Sequence, residues 1–507
     1  STFTNIKYLD PTLILWRSSS QWLGGMYFLI FLILIFSNTQ FNYKFNNLVY
    51  SSNTFKINEN NIFNIFTKII LIYLFLGVLI FTMLSLSGVR LFNALNLSMT
   101  ILSTGGFLPT NSLNQIINTN VQKFCLLISM ILPNGINMAK CFLSLANYVI
   151  AAPLNPAYTN EEFKFYMEDT ESQLVIISPE ADIARNAATE LNIPIAIANL
   201  DNNGELSISK SGSVLTERSS VIAPSEDDIA LFLHTSGTTS RPKGVPLTHG
   251  NLMASLENIV NTYTLTQDDL AMVVMPLFHV HGLIGVSLSA MKSGGSMVIP
   301  PRFSASNFWQ IQADTNATWY SAVPTIHQIL LMRADEDNAP NQSFRFIRSC
   351  SAALAPTVFS DLENRFGAPV LEAYGMTEAS HQMSSNLLPP GPRNPGTVGM
   401  GTGVEIGIMD EKGALLATDQ TGEVVIKGPN VTHGYHNNPS ANAEAFTNGW
   451  FRTGDQGILS GDSILTLTGR LKELINRGGE KISPLEVDAA ILQHPNVSEA
   501  VCFGVPD

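Results

Sequence analysis

A loop of small and hydroxyl-bearing residues, 235–244, constrains this chain more than any other stretch of its 507 residues. The apolar run 231–233 before it is typical of a buried strand. Two glycines lie in the loop, and Arg241 and Lys243 are its only charges. Its hydroxyl side chains belong to Thr235, Ser236, Thr238, Thr239 and Ser240. Glycines let backbone N–H groups approach an anion, hydroxyls donate to its oxygens and cations balance its charge, so the loop predicts a polyphosphate site.

The loop differs from the common P-loop of nucleotide-binding proteins. That motif requires Ser or Thr directly after Gly-Lys, whereas Lys243 lies between Pro242 and Gly244. The alternative interpretation is a polar surface loop, which describes most clusters of Ser, Thr and Gly. The apolar runs on both sides favour the polyphosphate site, because they fix the loop after a strand.

Composition narrows the function and divides the chain. A formal net charge of −13 argues against nucleic-acid binding, which normally requires a basic face. The 4 cysteines are too far apart for a zinc site or a disulfide framework, which suits a reducing compartment. Up to about Tyr148 the chain is rich in Asn, Ile, Leu and Phe and poor in charge. The remainder has the composition of an ordinary α/β protein, so we expect two separate parts.

Three apolar stretches in the first part, 22–36, 65–86 and 121–145, predict transmembrane helices. The second is long enough to cross a bilayer and has Lys68 near one end, where its amine can reach the interface. The first lacks the small-residue cleavage site of a signal peptide. Buried helices of a globular protein are the alternative. The few charges in all three stretches favour a multi-pass membrane part in contact with the lipid bilayer.

A Thr-Gly-Gly loop lies between the second and third stretches, after the amphipathic segment 91–103. Helix, short pore helix, loop and helix is the plan that lines cation filters with backbone carbonyls. The predicted filter residues are Thr104, Gly105, Gly106 and Phe107. Together with the segment 16–26, this region resembles the membrane subunit of bacterial Trk-type potassium transporters. That family builds its pore from four such repeats, so the single repeat here implies a potassium-transport fragment that does not conduct.

The second part predicts a sheet with helices on it. From Ile150 onward, helical patterns alternate with short apolar runs, which is typical of a parallel sheet covered on both faces. The run 271–277 leads to a turn that carries His279 and His281, which share one face if the chain there is extended. A metal site would need a third ligand nearby, so a role in a pocket or in packing is favoured.

Three later segments carry residues suited to a nucleotide. Small residues within 347–356 would let a flat ring lie against the backbone. The adjacent hydroxyl and carboxylate of Thr377 and Glu378 suit phosphate and Mg²⁺. Asp455, on a glycine turn, suits a ribose diol because its carboxylate can accept two hydrogen bonds.

These motifs occur in the order found in the adenylate-forming superfamily of acyl-CoA synthetases, luciferases and peptide-synthetase adenylation domains, and the resemblance covers about 150–507. Within it, five segments are most similar to the eukaryotic oxalyl-CoA synthetases: 234–247, 278–282, 348–352, 381–386 and 473–484. The resemblance implies an ATP-dependent acid–CoA ligase. A carboxylate attacks the α-phosphate of ATP, giving an acyl-adenylate and pyrophosphate, and the CoA thiol then displaces AMP.

The resemblance also implies roles for individual residues. It assigns the β- and γ-phosphates to the loop, at Thr235, Ser236, Gly237, Thr238, Thr239, Ser240 and Lys243. The other nucleotide-binding residues that it implies are Ala352, Ala353, Glu372, Tyr374, Thr377, Asp455 and Arg470. Tyr374 would stack near adenine, and Asp455 and Arg470 would bind the ribose hydroxyls.

Three of the implied residues act in catalysis. Thr377 would contact the α-phosphate, and Glu378 would hold Mg²⁺. Lys472 matches the hinge about which a small C-terminal domain rotates between the half-reactions, consistent with a few residues absorbing the dihedral change.

The acid substrate is expected to be oxalate, a small dianion whose pocket needs hydrogen-bond donors rather than apolar walls. The candidate lining residues are His279, His281, Ser349, Ser351 and His381. A medium-chain or 4-coumarate-type ligase, which needs a large apolar space, is the enzymatic alternative. A cation-transport protein with a nucleotide-binding regulatory part is the non-enzymatic one.

The expected domain organisation is a chimera. A transmembrane cation-transporter-like fragment would span 1–148, a large AMP-binding domain 149–469 and a small C-terminal domain 470–507. The α/β adenylate-forming part, placed in the cytosol, lacks sequence that the family has at both ends, including a C-terminal lysine used in adenylation, which predicts impaired turnover. A damaged ligase fused to a transporter fragment is favoured over a membrane-tethered ligase.

Overall fold

The computed structural model describes most of the chain from residue 127 onward and short parts before it. The described residues are 19, 20, 22, 59–86, 94–95, 98–99, 127–200, 205–210, 212–214, 224–235, 241–335, 339, 344–477, 480–491, 494, 497 and 500–505. The chain forms two compact units, Ser1–Cys125 and Leu126–Asp507.

The longest described element of the first unit is the helix α1, Glu59–Leu86. Its charged residues, Glu59 and Lys68, lie in its first ten positions, so its charge-free part is 69–86. Among the described residues, no helix has the length and hydrophobicity of a membrane span.

The prediction of a chimera with an all-α transmembrane part, and with it the multi-pass membrane location, is therefore wrong. The third predicted span, 121–145, shows the physical reason. It forms strand β1 (Leu127–Ile131) and helix α2 (Ile136–Ala146) of the second unit, separated at Pro133. Every residue of β1 is buried in a sheet, so its hydrophobicity serves a protein core. The predicted filter, 104–107, lies outside the described residues.

An eight-stranded sheet, as far as the described residues go, forms the first part of the second unit. After β1 its strands are β2 (Ile150–Pro153), β3 (Leu174–Ile177), β4 (Ile195–Leu200), β5 (Leu206–Lys210), β6 (Ser213–Val214), β7 (Ile229–Thr235) and β8 (Lys243–Thr248). Their order is β6-β5-β4-β3-β1-β2-β7-β8. Neighbours from β4 to β7 are parallel, and β5, β6 and β8 pair antiparallel. Besides α2, the helices here are α3 (Asn160–Asp169), α4 (Asp182–Glu190) and α5 (His249–Tyr263).

A second sheet follows, with seven strands among the described residues. They are β9 (Leu270–Met272), β10 (Ser296–Val298), β11 (Trp319–Ala322), β12 (Phe346–Ser349), β13 (Val370–Met376), β14 (His381–Ser385) and β15 (Met400–Gly401), in the order β10-β9-β11-β12-β13-β14-β15. Strands β9 to β13 are parallel, and β14 and β15 antiparallel. Its helices are α6 (Ala305–Thr315), α7 (Pro324–Met332) and α8 (Pro356–Phe366).

Between β9 and β10 the chain forms a helical segment with an irregular centre. A π-helical turn, Leu283–Leu288, joins the α-helical turns Val280–Gly282 and Ser289–Lys292. Such π-helical turns inside α-helices are frequent at functional sites.

The last part of the second unit is antiparallel. Its strands are β16 (Glu405–Met409), β17 (Thr421–Lys427), β18 (Phe446–Thr447), β19 (Trp450–Leu459), β20 (Leu465–Arg470), β21 (Ile475–Arg477) and β22 (Glu480–Ile482). The order β16-β17-β19-β18, with β20 on β19, forms one sheet, and β21 pairs with β22. The helices are α9 (Pro439–Ala445) and α10 (Pro484–Ile491).

The alternation of helices and strands explains why polar residues gather at one edge of the second sheet. The central strands β11 and β12 are buried along their whole length, as expected for parallel strands covered on both faces. Parallel strands β12 and β13 end at Ser349 and Met376, and a 3₁₀ turn, Thr377–Ala379, follows directly. The crevice outside the carboxyl ends of such strands is where α/β sheets bind ligands.

Candidate active site

The predicted phosphate loop is carried by a β-hairpin. Strands β7 and β8 pair antiparallel, with Thr235 opposite Lys243 and His234 opposite Gly244. The loop therefore has a fixed neck, and helix α5 begins only at His249, after β8. The predicted contacts at Ser236, Gly237, Thr238, Thr239 and Ser240 lie outside the described residues.

Glu378 lies buried in the turn after β13, where it meets a tyrosine and a lysine. The Tyr435 hydroxyl donates to Glu378 Oε1 at 2.7 Å, and Lys243 Nζ lies 4.6 Å from the centre of the Tyr435 ring. Burial raises the pKa of Glu378, while the Tyr435 hydrogen bond, Lys243 and Arg470 oppose that shift. Tyr435 thus connects the loop cation to the predicted Mg²⁺ ligand.

Asp455 lies between Tyr374 and Arg470. The Tyr374 hydroxyl donates to Asp455 Oδ2, and Arg470 Nε lies 3.1 Å from Asp455 Oδ1. Register places Asp455 and Arg470 opposite each other on β19 and β20. Burial raises the pKa of Asp455, opposed by the Tyr374 hydrogen bond and by Arg470. The structure thus brings three predicted nucleotide contacts together.

His281 faces inward and His279 does not. His279 is exposed just before the helical segment starts at Val280, so the two rings do not share a face as an extended chain would require. His281 is buried, with Nδ1 3.0 Å from Ser351 Oγ and Nε2 2.6 Å from Ser321 Oγ. Burial, reinforced by the charge of Arg348, lowers the pKa of His281 far below its usual value. The ring is therefore neutral near pH 7.

Arg348 is a fully buried cation in β12. Its guanidinium donates to uncharged acceptors, namely Tyr263 Oη (2.8 Å), Ser321 Oγ (3.0 Å), His381 Nε2 (2.9 Å) and Gln382 Oε1 (2.9 Å). Among the residues that the structure describes, no carboxylate forms an ion pair with it. Burying a charge without a counter-charge costs several kcal/mol, so Arg348 marks a place where an anion would be stabilised.

His381 is held in one orientation by its neighbours. Its ring stacks on His281 at 5.3 Å and accepts from Arg348, so its proton lies on Nδ1. A Cβ added to Gly285, in the π-helical turn, would lie 2.4 Å from His381 Nε2, so only glycine fits there. The backbone is unusual as well, with φ of 74° at Ser351, 50° at Ser380 and 96° at His381. Such conformations in non-glycine residues cluster at functional sites.

Glu372 is a buried carboxyl on β13 with an incomplete hydrogen-bond set. Its Oε1 accepts from the Leu354 N–H at 2.9 Å, while Oε2 has no partner among the described residues. Burial raises the pKa of Glu372 to about 7, although the Leu354 hydrogen bond opposes the shift. Near neutral pH this group therefore gains or loses a proton readily.

The remaining predicted residues differ in their surroundings. Ser349 ends β12, and its buried Oγ has no hydrogen-bond partner among the described residues. Ala352 and Ala353 are exposed in the turn after β12. Lys472 is exposed in the turn after β20.

Two residues of the site were missed in the assignment of roles from sequence. Arg348 is the first residue of the segment 348–352, and a lone charge in an apolar strand was the signal that could have found it. Tyr435 left no such signal, because its contact with Glu378 joins residues 57 positions apart.

The comparisons with known proteins agree with this geometry. The family model described as "AMP-binding enzyme" matches residues 125–436. The chain belongs to this family. Oxalate–CoA ligase from Arabidopsis thaliana is 52% identical over 389 residues, covering 75% of this chain and 76% of that protein. Oxalate–CoA ligase from Saccharomyces cerevisiae is 47% identical over 407 residues, covering 75% of each.

Solved structures show the same architecture. ATP-bound MatB from Rhodopseudomonas palustris is 30% identical, has a TM-score of 0.68 and covers 75% of this chain and 76% of that one. The predicted α/β adenylate-forming fold and acid–CoA ligase activity are thus confirmed for this AMP-binding enzyme. Nothing in these similarities supports a potassium-transporter part.

AMP-binding ligases use ATP, Mg²⁺ and CoA, and the residues of this chain fit the first two. Lys243 and Arg470 place positive charge near the Glu378 carboxylate, which suits a polyphosphate with a metal ion. In the described part of the chain, no three His, Cys, Asp or Glu side chains group into a metal site. A single carboxylate nevertheless suits Mg²⁺, because this ion is usually held by one or two carboxylates, water and phosphate oxygens.

Proposed function

We propose that this AMP-binding enzyme is an oxalate–CoA ligase. It would join oxalate to the α-phosphate of ATP with release of pyrophosphate, and the CoA thiol would then take the oxalyl group with release of AMP. The observation that carries the proposal is the buried, uncompensated charge of Arg348 beside the neutral rings of His281 and His381.

Charge favours a small anionic acid at this place. Arg348 lacks a carboxylate partner among the described residues, and an acid that carries two negative charges can keep one while the other carboxylate reacts. The His281 imidazole and the Ser351 hydroxyl can donate hydrogen bonds to such an acid. A 4-coumarate or medium-chain acid has no second charge and would leave Arg348 uncompensated.

The limited space around His281 and His381 also favours a small acid. The His381 ring, which stacks on His281, lies so close to the π-helical turn that Gly285 has no room for a Cβ. A long acyl chain would have to displace buried polar side chains here. Relatives named for small dianionic acids include the two oxalate–CoA ligases and a sulfoacetate–CoA ligase from Cupriavidus necator, 38% identical over 385 residues.

The nucleotide would lie across the residues grouped around β13. In this proposal Lys243 and Thr377 contact phosphate oxygens, Glu378 holds Mg²⁺, and Asp455 accepts from the ribose hydroxyls. Asp455 already accepts from Tyr374 and Arg470, and its two carboxylate oxygens keep lone pairs for the ribose hydroxyls. The aromatic face of Tyr374 would lie against adenine.

Positioning and charge neutralisation would supply most of the rate enhancement. Arg348 and the histidines orient one carboxylate so that the other can approach phosphorus. Lys243 neutralises charge that develops on the departing pyrophosphate. Mg²⁺, when bound, adds further neutralisation of the phosphate oxygens. Because no proton has to be removed from a carboxylate nucleophile near pH 7, the site needs no general base for the first step.

Pyrophosphate release by the purified protein, measured separately with oxalate, 4-coumarate and octanoate, tests the proposal. Of these three acids, only oxalate is expected to cause pyrophosphate release. Sulfoacetate serves as a matched small dianion that separates recognition of charge from recognition of oxalate. Release with 4-coumarate or octanoate but not with oxalate would show that the enzymatic alternative is right.

We expect Tyr435→Phe to reduce, by about tenfold, the factor by which Mg²⁺ tightens ATP binding. The reason is that a hydrogen bond to a charged group contributes about 1.5–3 kcal/mol. Phe keeps the ring beside Lys243 and removes only the hydroxyl that orients Glu378. Calorimetric titration of ATP at a series of Mg²⁺ concentrations measures the effect. Tyr158→Phe, which removes a tyrosine hydroxyl in the loop between β2 and α3, is the control. Equal Mg²⁺ dependence in both variants would contradict the proposed role.

A further inference from the structure

Two uncharged side chains hold one edge of the Arg348 guanidinium. Its Nε donates to the Tyr263 hydroxyl at 2.8 Å, and its Nη2 donates to Gln382 Oε1 at 2.9 Å. The Tyr263 hydroxyl donates to the same Gln382 oxygen at 2.8 Å, so the two acceptors are joined. Nε and Nη2 form the fork that a carboxylate usually takes with two parallel hydrogen bonds. Tyr263 and Gln382 thus occupy the place of a counter-ion without carrying its charge.

Packing fixes both acceptors. Tyr263 is the last residue of α5 and is fully buried, with its ring stacked on Phe346 at 5.2 Å. Gln382, buried in β14, donates from Nε2 to Thr402 Oγ1 at 3.1 Å and to Thr262 Oγ1 at 3.3 Å. Because an arginine can only donate, the Gln382 oxygen must face it, and the amide has one orientation. Burial raises the pKa of the Tyr263 hydroxyl, so this acceptor is uncharged near pH 7.

The hydrogen bonds of Arg348 leave one donor over. A guanidinium carries five N–H groups. Four of them have acceptors: one on Nε, two on Nη2 and, at Ser321, one on Nη1. The second N–H of Nη1 has no partner among the residues that the structure describes. A substrate carboxylate that contacts Arg348 can take this N–H while the fork stays with Tyr263 and Gln382.

We propose that Tyr263 and Gln382 are positioning residues that hold Arg348 in place without neutralising it. A carboxylate at the same fork would hold the guanidinium equally well, but its opposite charge would cancel most of the attraction for a second anion. Uncharged acceptors orient the cation and leave its charge for the acid substrate. The inference rests on the proposed binding of the acid by Arg348, and it identifies the residues that keep this cation available.

Gln382→Glu and Gln382→Met test the inference against each other. The Kd for oxalate is measured by calorimetric titration of the full chain with Mg²⁺ and an ATP analogue whose methylene bridge between the α- and β-phosphates blocks the reaction. We expect Gln382→Glu to weaken oxalate binding about a hundredfold or more, because its carboxylate pairs with Arg348 and repels the dianion. Gln382→Met lacks the acceptor but leaves the charge, so a loss of about tenfold is expected.

Stability shows whether these losses come from damage to the fold. In urea unfolding, Gln382→Glu should be the more stable of the two variants, because its carboxylate gives the buried guanidinium a partner that methionine cannot supply. Weaker oxalate binding by the more stable protein cannot be explained by a damaged fold. Oxalate binding by Gln382→Glu that is as tight as that of Gln382→Met would overturn the inference.

Tyr263→Phe tests the second residue. It keeps the ring on Phe346 and removes only the hydroxyl, so the Kd and KM for oxalate should rise about tenfold while kcat changes less than about twofold. In the Arg348→Met background it should cause no further loss. Tyr320→Phe is the control and should leave KM unchanged. It removes another fully buried tyrosine hydroxyl, one that lies 3.1 Å from His327 Nδ1.

An unchanged KM in Tyr263→Phe, or an added loss in its double variant with Arg348→Met, would also overturn the inference. Failure of the proposed function is seen in the unaltered enzyme instead. If that enzyme binds oxalate without releasing pyrophosphate, the ligase proposal fails and the Kd values of the variants still decide the inference. If it binds no oxalate, both are overturned.

Discussion

Arg348→Met is expected to lower kcat/KM for oxalate by about a hundredfold or more, because a unit charge a few ångströms away contributes about 4 kcal/mol at an effective dielectric of about 20. The Kd for ATP should change little, since Arg348 hydrogen-bonds to none of the residues around Glu378 and Asp455. Oxalate should raise the thermal unfolding midpoint of the unaltered enzyme and leave that of the variant unchanged.

Stability distinguishes this effect from simple damage to the fold. Arg348→Met leaves hydrogen-bond acceptors unsatisfied but also removes a buried, uncompensated charge, and these two terms oppose each other. Arg345→Met is the matched control from the same segment of chain. Arg345 pairs with both carboxylate oxygens of buried Asp269, so its loss leaves a buried charge unpaired and should lower stability by about 3 kcal/mol or more.

The two substitutions should therefore affect different properties of the protein. Urea unfolding followed by fluorescence measures stability, and pyrophosphate release measures activity. We expect Arg345→Met to be the less stable protein and Arg348→Met the less active one with oxalate. An Arg348→Met enzyme that retains its kcat/KM for oxalate would remove the main support for the proposed function.

Gly285→Ala is expected to reduce oxalate-dependent activity at least about tenfold. The added Cβ would lie 2.4 Å from His381 Nε2, and overpacking a buried site costs about 1–3 kcal/mol. His381 cannot move freely, because it is buried, accepts from Arg348 and stacks on His281. Alanine is intrinsically favoured over glycine in a helix by about 0.5–1 kcal/mol, so a loss must come from the clash.

Gly461→Ala is the control for this substitution. Gly461 lies in a turn where a Cβ would meet no atom within 4 Å. It should leave activity and ATP affinity unchanged, whereas Gly285→Ala should lose activity with oxalate and keep its affinity for ATP. Unimpaired kcat/KM for oxalate in Gly285→Ala would show that the orientation of His381 is not critical.

Local patterns in the sequence predicted much of the fold and misjudged one region. Helix–strand alternation predicted the parallel sheet after Ile150, because buried parallel strands are continuous apolar runs. The same property misled the prediction for 121–145, since a buried strand and a buried helix can be as apolar as a membrane span. Strand β1 is buried between β2 and β3, and only the pairing of strands distant in sequence distinguishes the two cases.

The sequence by itself determined the chemistry that the chain can offer: a glycine- and hydroxyl-rich loop with Lys243, the Thr377–Glu378 pair and Asp455, in an order shared with adenylate-forming enzymes. Residue type and spacing carry that information, because a hydroxyl, an amine or a carboxylate offers its hydrogen-bond donors and acceptors through its own atoms. Only the tertiary structure decided which neighbours tune those groups. Packing of distant strands leaves Arg348 without a counter-charge, sets His281 against His381 and joins Tyr263 to Gln382. These contacts arise between residues far apart in the chain, where local sequence holds no record of proximity.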